Sequence, residues 1–122
     1  MLRQRQPRKI DKKYKGIIAQ LPCAICGMVG VHVAHIRYTS AKDGADLTGA
    51  GRKPDDWRVL PLCPRHHVYG PEAQHSMSEE QFWRNHGINP YALAKALYTS
   101  KDDVTFMERL VQHARRLFPS EP

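Results

Sequence analysis

Apolar residues in the first half of the chain follow a helical pattern and then two strand patterns. Helical spacing joins five apolar positions, which are Ile10, Tyr14, Ile17, Ile18 and Leu21. Pro22 is expected to end that helix because proline has no N–H to donate. The apolar runs Val29–Ile36 and Trp57–Leu62 each predict a short strand. Residues 38–56 hold three glycines and many polar groups, so we interpret them as a long functional loop.

The last third of the sequence predicts three helices. Ser78 and Gln81 have capping-box spacing at the start of the first helix, and Gly87 is placed to end it. Asn89 caps the second helix, and Ser100–Asp103 begin the third. The third helix has an apolar face that consists of Phe106, Leu110, Val111, Ala114 and Leu117. Strands followed by helices predict an α+β fold.

A chain of 122 residues suits one domain, and one this short gains stability from a bound metal. We predict a flexible basic tail at residues 1–9 and a single domain at 10–122. Its core covers about 20–77, and a helical C-terminal extension covers 78–118. No run approaches the roughly 20 apolar residues of a membrane span, and no apolar run follows the basic N-terminus. We therefore expect no membrane partner, no secretory signal and a cytoplasmic location.

The positive charge is concentrated at the N-terminus. Residues 1–15 hold seven Lys and Arg and one acid, so they carry six of the seven net positive charges. Such a segment is either a solvated tail or a phosphate-binding arm, and charge alone leaves both open. The arm residues outside the first helix are Arg3, Arg5, Arg8 and Lys9.

The three cysteines fit a metal site better than a disulfide framework. Cys23 and Cys26 form one pair with a two-residue gap, and Cys63 and His66 form another. Two such pairs supply the four ligands of a tetrahedral zinc site. Buried cysteines acting as small apolar residues are the alternative. A redox role is weaker because no βαβ pattern surrounds the first pair.

The other six histidines divide into two groups. His86 and His113 fall in helical segments and are interpreted as surface or packing residues. His32, His35, His67 and His75 flank the long loop and the second ligand pair. That arrangement adds a candidate catalytic cluster to the zinc site.

The segment from about residue 20 to 98 resembles the HNH endonuclease family. The matching runs are VAHI at 33–36, VLPLCPRHH at 59–67, GPEAQHSM at 70–77 and FW at 82–83 with HG at 86–87. These runs are similar to those of small prophage-encoded HNH proteins, among them ones related to phage recombination-enhancing nucleases. The resemblance implies a ββα-metal core, a DNA phosphodiester hydrolase, and a recombination or phage protein as a candidate partner.

The resemblance also implies roles for individual residues. His35 matches the general base that takes a proton from water, which suits an imidazole near neutral pH. His67 matches a ligand of a catalytic Mg²⁺, Mn²⁺ or other divalent ion, and His75 would be a second ligand. That ion would stabilise the charge that develops on the scissile phosphate.

The chain departs from the family pattern at two positions. Family members usually have Asp or His directly before the base, where this chain has Ala34; His32 lies on the same strand face and can substitute. The middle Asn is not evident, and Asp56 or Arg58 lies nearest its place. We favour Asp56, either as a metal ligand or as the group that orients His35. An arginine there would instead hold phosphate.

The sequence favours a DNA endonuclease with little sequence specificity, since it shows no helix-turn-helix recognition helix. Four basic residues near the long loop are candidates for phosphate contact or for solvated loop charges, namely Arg37, Lys42, Arg52 and Lys53. Two alternatives are a non-catalytic zinc module that binds nucleic acid and a zinc-stabilised protein-interaction domain. Oligomeric state and substrate strandedness do not follow from the sequence.

Overall fold

The chain has an α+β structure that consists of a two-stranded antiparallel sheet and several helices. The structure is a computed structural model, and it describes residues 10–38, 40, 43, 55–70, 73–74 and 78–120. Strand β1 (His32–His35) pairs with β2 (Val59–Leu62), with His32 opposite Leu62 and His35 opposite Val59. All four residues of β2 are buried, whereas only Ala34 is buried in β1. Strand β2 therefore belongs to the core, whereas β1 leaves His32 and His35 partly accessible to solvent.

Helix α1 (Lys12–Ile18) precedes the sheet and is shorter than the sequence predicts. The Asp11 side chain accepts a hydrogen bond from the Tyr14 N–H and fixes where the helix begins. Tyr14, Ile18 and Leu21 are buried, in agreement with the predicted apolar face, but Ile10 is 62% exposed. Helix α1 contacts β2, so it covers one side of the hairpin.

The C-terminal part contains α2 (Glu79–Asn85), α3 (Pro90–Thr99), α4 (Val104–Gln112) and α5 (Ala114–Leu117). The predicted caps at Ser78 and Asn89 are confirmed, since their side chains accept hydrogen bonds from the N–H groups of Gln81 and Ala92. Gly87 has φ 64° just beyond α2, which is a conformation that glycine adopts without strain. Helix α3 contacts both β2 and α4.

The last predicted helix is wrong in two details. The helix is interrupted at His113, so it forms α4 and α5 rather than one continuous element. Phe106 and Leu117, assigned to its apolar face, are 45% and 51% exposed, and Met107 is fully buried instead. Leu117 lies beyond the interruption, so a periodicity read across it does not apply there, whereas within α4 the buried face consists of Met107, Leu110 and Val111 and leaves Phe106 outside it.

The core lies between the hairpin and the helices. Its largest fully buried side chains are Trp83, Tyr14, Tyr91 and Phe82. Within the described residues, no helix combines the length and apolar content that crossing a membrane requires.

Candidate functional site

The first two cysteines lie in a tight turn, residues 23–27, which we call the knuckle turn. Gly27 has φ 78° and donates its N–H to the Cys23 carbonyl at 2.9 Å, which closes the turn. The Ala24 N–H donates to the Pro61 carbonyl at 2.9 Å and so fixes the turn to β2. The Ile25 N–H lies 3.4 Å from Cys23 Sγ. This geometry curls the chain so that both thiols reach one point.

The second pair follows directly after β2, where the chain enters a π-helical turn at Arg65–Tyr69. The N–H groups of His66 and His67 both point to the Cys63 carbonyl, at 3.0 and 2.9 Å. The π-helical turn itself is closed by the Gly70 N–H, which donates to the Arg65 carbonyl at 2.8 Å, and such wide turns are uncommon and are found frequently at functional sites. The turn brings His66 back beside Cys63.

The four predicted zinc ligands lie together, with their ligand atoms all within 4.8 Å of one another. Cys26 Sγ and Cys63 Sγ are 3.7 Å apart, and His66 Nδ1 is 3.2 Å from Cys63 Sγ and 3.9 Å from Cys23 Sγ. Ligands of a tetrahedral zinc, at about 2.3 Å for sulfur and 2.0 Å for nitrogen, lie roughly 3.5–3.8 Å apart. Cys23, Cys26, Cys63 and His66, hereafter the Cys–His cluster, therefore can hold a structural zinc ion.

The electrostatics of Cys23 and His66 favour the protonation states that bind metal, whereas burial raises the pKa of Cys26 to about 11. Burial acts to raise the pKa of Cys23, but hydrogen bonds from backbone N–H groups outweigh it and lower that pKa below its ordinary value. Burial and the positive charges of Arg65 and Arg115 lower the pKa of His66. A thiolate and a neutral imidazole are the forms that coordinate zinc.

His32 and His67 form a second pair of ligand atoms beside the cluster. Their Nδ1 atoms are 2.9 Å apart, and their rings meet at 76° with centroids 5.1 Å apart. His32 begins β1, and His67 follows the cluster ligand His66 in the π-helical turn. The consecutive residues His66 and His67 thus belong to two different groups, since His66 is part of the Cys–His cluster and His67 pairs with His32.

His35 at the end of β1 is paired with a buried carboxylate. Its Nε2 lies 3.2 Å from Asp56 Oδ1, and Asp56 is fully buried. The other oxygen, Oδ2, accepts the Asp11 N–H at 2.8 Å and lies 3.4 Å from Lys15 Nζ. The ammonium and the N–H group favour the ionised form of this carboxylate. The start of α1 thus holds the residue that contacts His35.

The sequence predicts Asp56 as a group that could orient His35, but little in the sequence indicates that Asp11 and Lys15 hold the other oxygen of Asp56. Lys15 belongs by charge to the basic N-terminal run, and Asp11 belongs to none of the candidate sites. Both approach Asp56 from more than 40 residues away along the chain, a distance over which helical and strand periodicity carries no signal. His32 is one of several open alternatives in the sequence, and its contact with His67 depends on the hairpin and the π-helical turn together.

The remaining predicted residues are placed as follows. Arg37 is exposed, and its backbone N–H donates to Glu79 Oε1 at 2.7 Å. Arg58 is 4% exposed and donates to the Tyr91 hydroxyl at 2.8 Å, so its guanidinium is turned into the protein. That placement favours Asp56 over Arg58 as the group beside His35. Eight predictions fall outside the described residues: His75, Lys42, Arg52, Lys53, Arg3, Arg5, Arg8 and Lys9.

Comparison with known proteins gives no match to any protein-family model, curated protein or solved structure. The resemblance to HNH endonucleases is therefore a prediction from the sequence motifs, and function has to be argued from the geometry of the site.

Proposed function

We propose that the chain is a metal-dependent DNA endonuclease of the HNH type, with little sequence specificity. The observation that carries the proposal is the pairing of His35 with buried Asp56 on the same hairpin that sets His32 against His67. A water-activating imidazole and a pair of metal-ligand nitrogens are the two parts that such hydrolysis requires.

His35 acts as the general base. Asp56 accepts a hydrogen bond from the Nε2–H group of His35, and its charge stabilises the imidazolium that forms when His35 takes a proton from water. The oxygen of that water forms a bond to phosphorus as the bond from phosphorus to the 3′ oxygen breaks. Partial accessibility suits this role, since the His35 side chain is 11% exposed.

His32 and His67 are the described residues that would hold the catalytic ion. Their Nδ1 atoms lie 2.9 Å apart and so can face one ion, and imidazole is the commonest metal ligand among side chains. When bound, a divalent ion there would stabilise the negative charge on the phosphate and on the departing oxygen. His75 stays a predicted additional ligand.

A non-catalytic zinc module that binds nucleic acid is the alternative. The same 2.9 Å separation suits a hydrogen bond between one protonated and one unprotonated nitrogen of the two rings. The Cys–His cluster requires no second ion to stabilise the fold. Binding of a second ion therefore separates the two functions.

The test uses the full zinc-loaded chain, supercoiled plasmid, and Mg²⁺ or Mn²⁺. Wild type should nick or linearise the plasmid, and His35→Ala should lower the rate by about 10²–10⁴-fold, as expected for loss of a general base. Zinc content and the Kd for a short duplex should stay within twofold. His32→Ala should in addition weaken Mn²⁺ binding measured by electron paramagnetic resonance.

Two outcomes would contradict the proposal. Equal cleavage by His35→Ala and wild type would remove the assigned base. DNA binding by wild type without cleavage at any divalent ion, and without Mn²⁺ bound at His32, would leave the zinc module as the function.

A further inference from the structure

A groove lies between the knuckle turn and the junction of α4 with α5. It has a volume of about 440 Å³, and one wall is formed by residues 22–27 and the other by residues 111–116. Arg115 joins the walls, because its Nη2 donates to the Ile25 carbonyl at 3.1 Å. The groove is separate from the pairing of His35 with Asp56, and none of its described lining residues has a role in the proposed cleavage.

The side chains that line the groove give it a positive charge. Arg115, Arg116 and His113 line it and are exposed, and none of its described lining residues is Asp or Glu. A zinc ion with three thiolates and a neutral imidazole carries one net negative charge. The charges of Arg115 and Arg116 together exceed that charge, so the groove attracts anions even with zinc bound.

We propose that this groove binds the phosphodiester backbone of DNA beside the cleavage site. Arginine presents five N–H donors in a planar fork, and the Ile25 carbonyl takes one of those on Arg115. The remaining donors suit phosphate oxygens, which arginine binds through paired hydrogen bonds. The inference rests on the proposed cleavage of DNA, and it identifies the groove as a part of the chain that binds the DNA substrate.

The position of the groove is consistent with a contact to the DNA backbone near the phosphate that would be cleaved. Cys23 and Cys26 line the groove and also belong to the Cys–His cluster. His66 belongs to the same cluster, and the next residue is His67, whose Cα lies about 3.8 Å from that of His66. Binding in the groove would therefore place DNA next to the cluster, whose ligand His66 directly precedes the proposed metal ligand His67.

The test measures binding of the zinc-loaded full chain to a fluorescent 20-base-pair duplex, with no added Mg²⁺ or Mn²⁺. Arg116→Glu should raise Kd by about tenfold and reduce the dependence of log Kd on log salt by about 0.9 for each phosphate that the variant no longer binds. Arg84→Glu is the matched control, since Arg84 is an exposed helical arginine away from the groove, and it should stay within twofold of wild type. Duplex addition should also shift the amide NMR signals of residues 25–27 and 115–116.

Equal Kd values for the two variants would overturn the inference. Competition by poly-glutamate as strong as that by DNA would also overturn it, because the groove would then accept any anionic chain. The two proposals fail separately. Cleavage that persists while Arg116→Glu binds normally removes the groove alone, whereas selective loss of binding in a chain that never cuts DNA removes the nuclease alone.

Discussion

At the scale of single residues, the distinguishing feature is the buried carboxylate of Asp56, which contacts His35. Asp56 is fully buried, which is costly for a carboxylate unless its oxygens have partners. One oxygen contacts His35, and the other contacts the Asp11 N–H and the Lys15 ammonium. Because both oxygens are held, the carboxylate fixes the orientation of the imidazole. This division of contacts supports the proposal that Asp56 positions His35 rather than ligating a metal.

Asp56→Asn is expected to lower DNA cleavage by up to about 10⁴-fold, the loss seen when the carboxylate that orients a general-base histidine becomes an amide. The amide keeps the size of the side chain but removes the charge that stabilises the imidazolium. Plasmid cleavage rates check this, with zinc content and duplex Kd as controls for folding. Asp102→Asn, at an exposed position before α4, should cleave at the wild-type rate. Equal rates for both variants would show that Asp56 is only structural.

At the scale of elements, one carboxylate ties α2 to the chain that leaves β1. Glu79 Oε1 accepts the N–H groups of Arg37 and Tyr38, each at 2.7 Å, and Oε2 accepts from Gln74 Nε2 at 2.7 Å. Burial raises the pKa of Glu79 in spite of these hydrogen bonds. The β1 end that carries His35 is therefore held by α2 as well as by β2.

Glu79→Ala and Glu79→Gln should differ in stability. The alanine variant leaves two backbone N–H groups without this acceptor, so we expect a loss of about 2–3 kcal/mol in urea unfolding. The glutamine variant keeps the carbonyl acceptor. Gln74 can turn its amide to meet the new donor, since Gln74 Oε1 has no hydrogen-bond partner among the described residues. We therefore expect that variant within about 1 kcal/mol of wild type.

The raised pKa of Glu79 allows a second comparison, between wild type and Glu79→Gln, in the pH dependence of stability. The folded state holds the proton to higher pH than the unfolded state, so this group lowers the free energy of unfolding as pH rises from the ordinary value through the raised one. Glu79→Gln should remove that decline. A decline of the same size in the glutamine variant would show that Glu79 is not its source.

At the scale of the whole molecule, the Cys–His cluster joins parts of the chain that are far apart in sequence. Cys26 and Cys63 are 37 residues apart, and Arg115 reaches back over 90 residues to the carbonyl of Ile25. One ion bound at the cluster would therefore fix the knuckle turn to the hairpin, and Arg115 joins the C-terminal helices to the same turn. A short chain gains much from such a cross-link, because its own core is small.

Two adjacent histidines provide a matched test of this role. His66→Ala should lose zinc and several kcal/mol of stability, since structural zinc sites contribute on the order of 10 kcal/mol. His67→Ala should keep one zinc per chain and the wild-type unfolding midpoint, while losing Mn²⁺ binding. Colorimetric zinc release and circular dichroism melting check both variants. Chelated wild type should melt like His66→Ala, and zinc retained by His66→Ala would remove the cluster as assigned.

Features that depend on near neighbours follow from the order of the amino acids alone. The caps at Ser78 and Asn89, the stop at Gly87 and the four ligands of the Cys–His cluster can be predicted from spacing, since their partners lie within a turn or form tight pairs. Which distant groups meet depends instead on how the elements pack. Contacts of His35 with Asp56 and of His32 with His67 span 21 and 35 residues and require strand register, the π-helical turn and α1 at once. Local periodicity carries no information about such contacts, because they form only when separate elements come together.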